Sequence, residues 1–438
     1  MSSSISRRNM LKSAGALAAG AALPKWFLEE QLDADEVKPP TSANEKPNIA
    51  LIGCGGQGRG NIKDAARFGN VVALCDVDDR HSAGAAMDHP GAKTYHDFRK
   101  VMERDDIHVI VNATPDHWHT IVNLHALRAG KDIYGQKPLT LTIDEGKVLV
   151  EAVKKSGCVF QVGSQQRSDA NFRLACELVR NGRIGTLQEV NVVVPAGWRK
   201  GPFPPQPVPA EFDYNFWEGQ AADQPFCTQR THTTFRFWYD YSGGTVTDWG
   251  AHHNDIARWG IGLDGPISVD GQALSEPVPG GYTAIADYAI EYMWANGVKS
   301  TCASTRGDQW TGGRVKDSTE PHNGVTFKGA DGWIFVTRGK IEASKPELLS
   351  EPLAAGALRL YESNDHMANF FDCIRTRKET AATAETGHRS VSVCHLGVLS
   401  LRLGRKLNWD PAAEKFVNDA DADKWLSREM RKPWSLDA

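Results

Sequence analysis

The sequence predicts two folded units of different class. Residues 48–165 read as an α/β unit on a doubly wound parallel sheet, and residues 166–438 as an α+β unit on an open-faced, largely antiparallel sheet with C-terminal helices. Three observations carry this. Short β-branched, apolar runs alternate with helical periodicity from residue 48 to 163, the pattern of parallel strands joined by crossover helices. The first run breaks into a glycine cluster, GCGGQG, at 53–58. Beyond residue 187 the apolar runs recur with a single helix interrupting them, separated by long loops rich in Pro, Gly and Trp.

The 438 residues, 41% hydrophobic and 24% charged, suffice for two cores. A net charge of -4 excludes the basic footprint of a nucleic-acid binder. Eight cysteines form no CxxC pair and no clustered metal spacing, so buried thiols and no metal are expected. Residues 1–30 read as a twin-arginine export signal: Arg7 and Arg8, then an Ala-rich segment too short to span a bilayer. Residues 31–47 are a polar, Pro-containing linker. The expected partner is therefore the twin-arginine export machinery, and the expected location the periplasm. Export in the folded state suits a cofactor-bound fold with unpaired cysteines.

Within the first unit, a strand at 49–53 turns into a helix from 58 through Gly53, Gly55 and Gly58, at GxGxxG spacing. Gly53 permits the tight turn, Gly55 a close pyrophosphate and Gly58 close helix packing, with Gly56 and Gln57 in the same loop facing the phosphates. This is the outline of a Rossmann dinucleotide site. The strand at 70–76 ends in Asp76, placed to hold a ribose, and no Arg or Ser follows it directly, which favours NAD over NADP. Helices near 79–87 and 97–103, a strand at 107–113, a helix at 117–129, a strand at 132–135, a helix at 143–156 and a strand at 159–163 complete the unit. Strand ends are where ligands to such sheets sit. Thr114, Pro115, His117, Trp118 and His119 are accordingly candidate cofactor contacts, and Pro138 holds Lys137 extended, pointing into the crevice.

The second unit opens with a helix at 169–181 and a strand at 187–194, followed by strands at 283–294, 299–304, 324–328 and 332–337. Between them, residues 243–259 carry the densest chemistry. Asp248, His252, Asp255 and Trp259 recur at i, i+4, i+7 and i+11, which sets them on one helical face. Metal ligation and a satisfied core Asp-His pair are the rival readings of that stripe. Arg167, Trp198, Arg199, Trp238, Tyr239 and His253 are candidates for holding a sugar, and Asp255 is read as structural. Helices at 364–375 and through Arg402 close the chain, with Met367, Phe370, Phe371 and Ile374 at core spacing and His388 and His395 structural.

GCGGQG, Asp76, ATPDHWH at 113–119, the Lys137-Pro138 dipeptide, and a GG followed by DxGxHxxD together resemble the glucose-fructose oxidoreductase and inositol dehydrogenase (Gfo/Idh/MocA) family over about residues 48–400. The resemblance implies an NAD(P)-binding Rossmann domain, a sheet domain that closes the substrate site, and a homo-oligomer formed through that sheet. It matches Lys137 to the lysine of the family's EKP motif, Asp248 and His252 to the acid and histidine of the site helix, and Gly53, Gly55, Gly58 and Asp76 to dinucleotide contacts. Gln136 stands where EKP has Glu, and loss of that carboxylate should ease deprotonation of Lys137. With these residues, His252 is expected as general base, Asp248 as the group orienting it and Lys137 as the group polarising the substrate oxygen, the two basic roles being exchangeable. The expected function is an NAD-dependent oxidoreductase acting on a sugar or glycoside with a tightly bound cofactor. Two alternatives stand beside it: redox-neutral glycoside cleavage of the family 109 type, and a cofactor-bound binding protein without turnover.

Overall fold

The computed structural model describes residues 23–31, 46–305 and 323–437. Arg7, Arg8 and most of the expected linker lie outside the described residues. In the first domain β1 (Asn48–Ile52), β2 (Asn70–Cys75), β3 (Lys93–Tyr95), β4 (Val109–Asn112), β5 (Asp132–Gly135) and β6 (Phe160–Val162) form an all-parallel sheet in the order β3-β2-β1-β4-β5-β6. The chain runs outward from β1 to β3 and resumes at β4 on the other side. The order thus reverses beside β1, where a crevice opens at the strands' carboxyl ends. Four of the five β1 residues and all of β4 are buried, because helices cover both faces. The short β3, exposed at the edge with sequence KTY, gave no periodic signal.

The second domain carries a nine-stranded sheet ordered β13-β12-β11-β7-β10-β9-β8-β14-β15. Its strands are β7 (Leu187–Val194), β8 (Ser268–Ala273), β9 (Tyr288–Met293), β10 (Lys299–Ser304), β11 (Gly324–Gly329), β12 (Trp333–Thr337), β13 (Lys340–Ala343), β14 (Leu407–Asp410) and β15 (Lys415–Phe416). Only β7 and β10 pair in parallel; the other described neighbours are antiparallel. The helices Ala170–Arg180, Gly250–Ile261 and Ala384–Leu403 pack their apolar residues on this sheet, forming the largest core of the molecule.

Two helices pack on a domain that lies far from them in sequence. The helix His366–Thr376 seats Met367, Phe370 and Phe371 against Ile49, Leu51 and Tyr134 of the parallel sheet. At the other end the helix Lys25–Gln31, which begins inside the range expected for the signal, is docked on the second domain. Phe27 is fully buried beneath the Arg173 guanidinium, 4.6 Å from the ring centre, and Trp26 Nε1 donates to the Leu349 carbonyl at 3.1 Å. All eight cysteines are free, seven of them buried. Among the described residues no helix is long and apolar enough to cross a membrane.

Candidate functional site

The carboxyl ends of the parallel strands open into a cavity of about 950 Å3, roofed by second-domain residues that include Trp198, Phe237, Asp248 and His252. The glycine turn forms one end of it. A Cβ on Gly53, whose φ is +89°, would lie 2.5 Å from the Ala113 carbonyl oxygen, and one on Gly58 would lie 1.9 Å from the Gly53 oxygen, so neither position can carry a side chain. The helix Gly56–Ala65 starts at Gly55 with no side-chain cap, and Gly55, Gly56, Gln57 and Gly58 line the cavity. An anion is the natural partner for such uncapped N–H groups. Beside the turn, Asp76 Oδ2 accepts from the Cys54 N–H at 2.7 Å and Oδ1 from the Asp78 N–H at 2.9 Å, which fixes the carboxylate at the end of β2. A glycine-rich cradle next to a fixed carboxylate fits a dinucleotide.

At the other end the two domains meet through charge. Lys137 Nζ donates to Asp248 Oδ1 at 2.5 Å and to the Asp248 carbonyl at 2.9 Å, and Arg236 Nε donates to the same Oδ1 at 3.1 Å. Burial alone would raise the Asp248 carboxyl, but the adjacent Lys137 and Arg236 outweigh it and hold the group well below the usual carboxylate range. Asp248 is therefore an anion across the physiological range. His252, on the next helical turn, is buried with Nδ1 unpartnered; burial first, then Lys137 and Arg338, keep its imidazole neutral.

The hydrogen bonds of Asp248 go to cations and not to the histidine it was expected to orient. The Asp248 carboxylate is hydrogen-bonded to Lys137 and Arg236, so it orients the lysine in place of the histidine. It also supplies the carboxylate partner that Gln136 does not. Gln136 Oε1 accepts from the Lys137 N–H at 3.2 Å while its Nε2 is buried without a partner, and both amide atoms of Gln166 are in the same condition. These unsatisfied groups lie on residues that line the cavity.

Comparison with known proteins agrees with the two-domain fold. Residues 193–436 match the model of an oxidoreductase family C-terminal alpha/beta domain (GFO_IDH_MocA), and residues 47–164 match the family's NAD-binding Rossmann fold. The chain belongs to the Gfo/Idh/MocA family. Residues 4–24 match the twin-arginine signal sequence, which implies export by that pathway. The chain is 32% identical over 142 residues to inositol 2-dehydrogenase 2 of Saccharopolyspora erythraea, covering 32% of this chain and 42% of that protein. It is 26% identical over 252 residues to levoglucosan dehydrogenase of Pseudarthrobacter phenanthrenivorans, covering 52% and 63%. To the alpha-N-acetylgalactosaminidase of Shewanella oneidensis it is 25% identical over 207 residues, covering 42% and 44%. The matches thus span about half the length of these curated relatives. A levoglucosan dehydrogenase solved with NADH and levoglucosan shares the fold at a TM-score of 0.62 with 19% identity, covering 83% of this chain and 99% of that one.

Against this Gfo/Idh/MocA framework the remaining candidates sort by position. Thr114, Pro115, Trp118, His119 and Trp198 line the cavity, Trp198 being stacked on Phe237 with ring centres 5.2 Å apart. Both His119 nitrogens already face carbonyls, Pro138 O at 2.6 Å and Thr114 O at 2.9 Å, so its ring ties two strand ends together. Six candidates do not reach the cavity. His117 points away from it, fully buried with Nε2 2.9 Å from the Trp217 carbonyl, because the residues 116–118 form a 3-10 turn that rotates it off the strand end. Arg167 is sealed in an ion pair with Asp255, at 2.7 and 2.8 Å. Arg199 donates to the Glu276 carbonyl at 2.7 Å on the surface. Trp238 is in an aromatic cluster with its N–H on Gln229 O, the Tyr239 hydroxyl accepts from the Ile285 N–H, and His253 Nε2 faces Asn323 Oδ1 at 2.8 Å. The site stripe is also interrupted: a single helical turn, Thr245–Asp248, joins the helix Gly250–Ile261 through Trp249, which keeps helical dihedrals. Asp248 and His252 both line the cavity, while Asp255 faces Arg167.

Arg236, Arg338, His81, His232 and Gln166 also line the cavity, and sequence reasoning missed all five. Four lie outside periodic strand or helix patterns, and His81 lies on a helix read only as an element of the first unit. Only the folded chain brings them together.

Proposed function

We propose that the protein is an NAD-dependent oxidoreductase that oxidises a secondary alcohol of a sugar or glycoside in the periplasm with its cofactor retained. The observation that carries this is the placement of Lys137, Asp248 and His252 in the same cavity as the glycine cradle and Asp76. Bound NAD supplies the hydride acceptor. Neutral His252 is ready to take the hydroxyl proton, and the Lys137 ammonium, held by Asp248, donates to the oxygen on which negative charge develops. The Trp198 and Phe237 rings offer a stacked apolar surface to a sugar face. The resemblance of the sheet domain to its family supports a contact between copies through its open face, which light scattering would read as mass.

A second reading, glycoside cleavage with no net change of redox state, is favoured by the export signal. An enzyme without a pool of free NAD completes many cycles only if its cofactor is restored within each one. The two readings separate on the purified exported chain supplied with aryl glycosides or free sugars and no added NAD. Stoichiometric NADH formation that stops after one turnover selects simple oxidation, and sustained aglycone release without NADH selects redox-neutral cleavage. Absence of both, with NAD bound, rejects the catalytic proposal.

A further inference from the structure

The acid turn after β2 is strapped to the second domain through the main chain. Asp79 N donates to Glu211 O at 2.9 Å and Asp213 N donates to Val77 O at 3.0 Å, so Asp78 and Phe212 form an antiparallel bridge between the domains. Side chains reinforce it: Arg80 lies 3.4 Å from Glu211, His96 Nε2 3.2 Å from Asp213, and His232 Nε2 3.2 Å from Asp78 Oδ2. His232 comes from the second domain and holds a left-handed backbone, φ +53°, which a non-glycine residue adopts at a cost. Its ring is packed on Phe212, 5.3 Å between centres, and on His81, 4.5 Å between centres. His81 belongs to the first domain. Its Nδ1 is 3.5 Å from Asp76 Oδ2, and its Cε1 would be 3.9 Å from a Cβ on Gly55.

None of these contacts involves Lys137, Asp248 or His252. They surround the other end of the cavity, whose lining includes Asp76, His81, His96 and His232. That end holds the ribose-binding acid and the phosphate cradle, so it is where the adenosine half of a dinucleotide lies. A ligand there would lie between the strand ends and His232, whose backbone the second domain holds in place.

We propose that His232, braced from behind by the 211–213 strap, forms an inter-domain clasp over the adenosine half of the dinucleotide, with His81 as a donor to its ribose and phosphate oxygens, and that opening of this clasp sets the release rate. The inference rests on the dinucleotide reading of the cavity and gives retention of the cofactor a structural cause. A metal centre is the rival use of the cluster, because Asp78, His81 and His232 offer ligand atoms within 4.8 Å of one another. The Asp78 oxygens, however, already accept from the Arg80 N–H at 2.9 Å and from its guanidinium at 3.1 Å, which leaves the carboxylate engaged.

The test is the release of NADH from the full chain, followed by stopped-flow fluorescence on mixing with excess NAD. His232→Gly, which suits the left-handed backbone while removing the ring, and Phe212→Ala are each expected to speed release about ten-fold or more, the usual way an interface change is felt. ADP-ribose release is expected to accelerate likewise. Unchanged release in both variants overturns the clasp. So does release from the unmodified chain on adding a chelator, which would assign the cluster to a metal. Hydrogen exchange on the unmodified protein needs no variant: the Asp79 and Asp213 amides are expected to exchange more slowly with NADH bound, and equal exchange overturns the proposal. If the unmodified chain takes up no NADH, the dinucleotide reading fails and the clasp with it; if it takes up NADH and release is insensitive, the clasp alone fails.

Discussion

Two acid-cation pairs less than three helical turns apart behave as opposites. Asp248 with Lys137 spans the two domains at the cavity wall, with side chains 20% and 15% exposed. Asp255 with Arg167 is sealed, at 1% and 7%, and is completed by the Ser390 hydroxyl donating to Asp255 and by the Trp259 ring under the guanidinium. Both pairs join an acid from the 245–261 segment to a basic residue of the first 170 residues, so spacing alone cannot tell them apart. The difference is access: the first pair borders space that a substrate can enter, and the second is enclosed by protein on every side. A charge pair next to a cavity can act on a ligand, and a charge pair without one can only hold the fold.

That contrast can be broken by substitution. His252→Ala, beside the open pair, is expected to lower kcat by about 10^2 to 10^4 with little change in thermal midpoint, as loss of a general base does. Steady-state rates with calorimetry on the same preparation read both. Lys137→Met is expected to lower kcat by roughly 10^2 to 10^3 through loss of charge stabilisation. In the sealed pair, Arg167→Met should leave Asp255 buried without its cation and cost about 3 to 5 kcal/mol of stability. A denaturant midpoint unchanged by Arg167→Met would erase the distinction, as would a kcat that falls in Arg167→Met while the fold stays intact.

Acid sharpens the comparison further. Burial lowers His117 to about 3 and His253, His366 and His395 to about 4, so these rings stay neutral in the folded chain while the unfolded chain protonates near pH 6.5. Stability is therefore unaffected above the unfolded value and falls as pH drops from 6.5 towards 4, by on the order of 2 kcal/mol per ring at pH 5. Asp248, held low by Lys137 and Arg236, remains ionised through that window. The open pair is expected to survive acid that loosens the fold, which thermal melts at pH 7 and pH 5 would show as a falling midpoint. The smallest effect is expected at Arg199: Arg199→Ala removes a surface contact to a carbonyl and should change stability by no more than about 0.5 kcal/mol and leave sugar turnover unchanged.

Most of the first domain is legible in the sequence because local pattern and global fold agree there. The strand 132–135 and the helix 143–156 lie where periodicity puts them, and the glycine turn cannot tolerate a Cβ at Gly53 or Gly58. The strands β8, β13, β14 and β15 were not legible: the last three have four residues or fewer, and β8 is polar and carries a glycine, so neighbours supply their order. The site divides in the same way. Lys137 is signalled by Pro138, and Asp248 and His252 by their helical interval, whereas Arg236 and His232 have meaning only once residues 196–242 cross to the other domain. Arg167 and Trp238 show the converse error, since a basic or aromatic residue near a site is as readily a buried support as a ligand contact.

The docked helix Lys25–Gln31 bears on timing. It is synthesised almost first, directly behind the matched signal residues 4–24, yet Trp26 is received by Leu349, 323 residues later, and Glu30 by Arg359, 329 residues later. Its seat does not exist until most of the chain has been made, and contacts of such separation form late in folding. The helix that follows the matched signal is therefore fully seated only once the chain beyond residue 349 is in place.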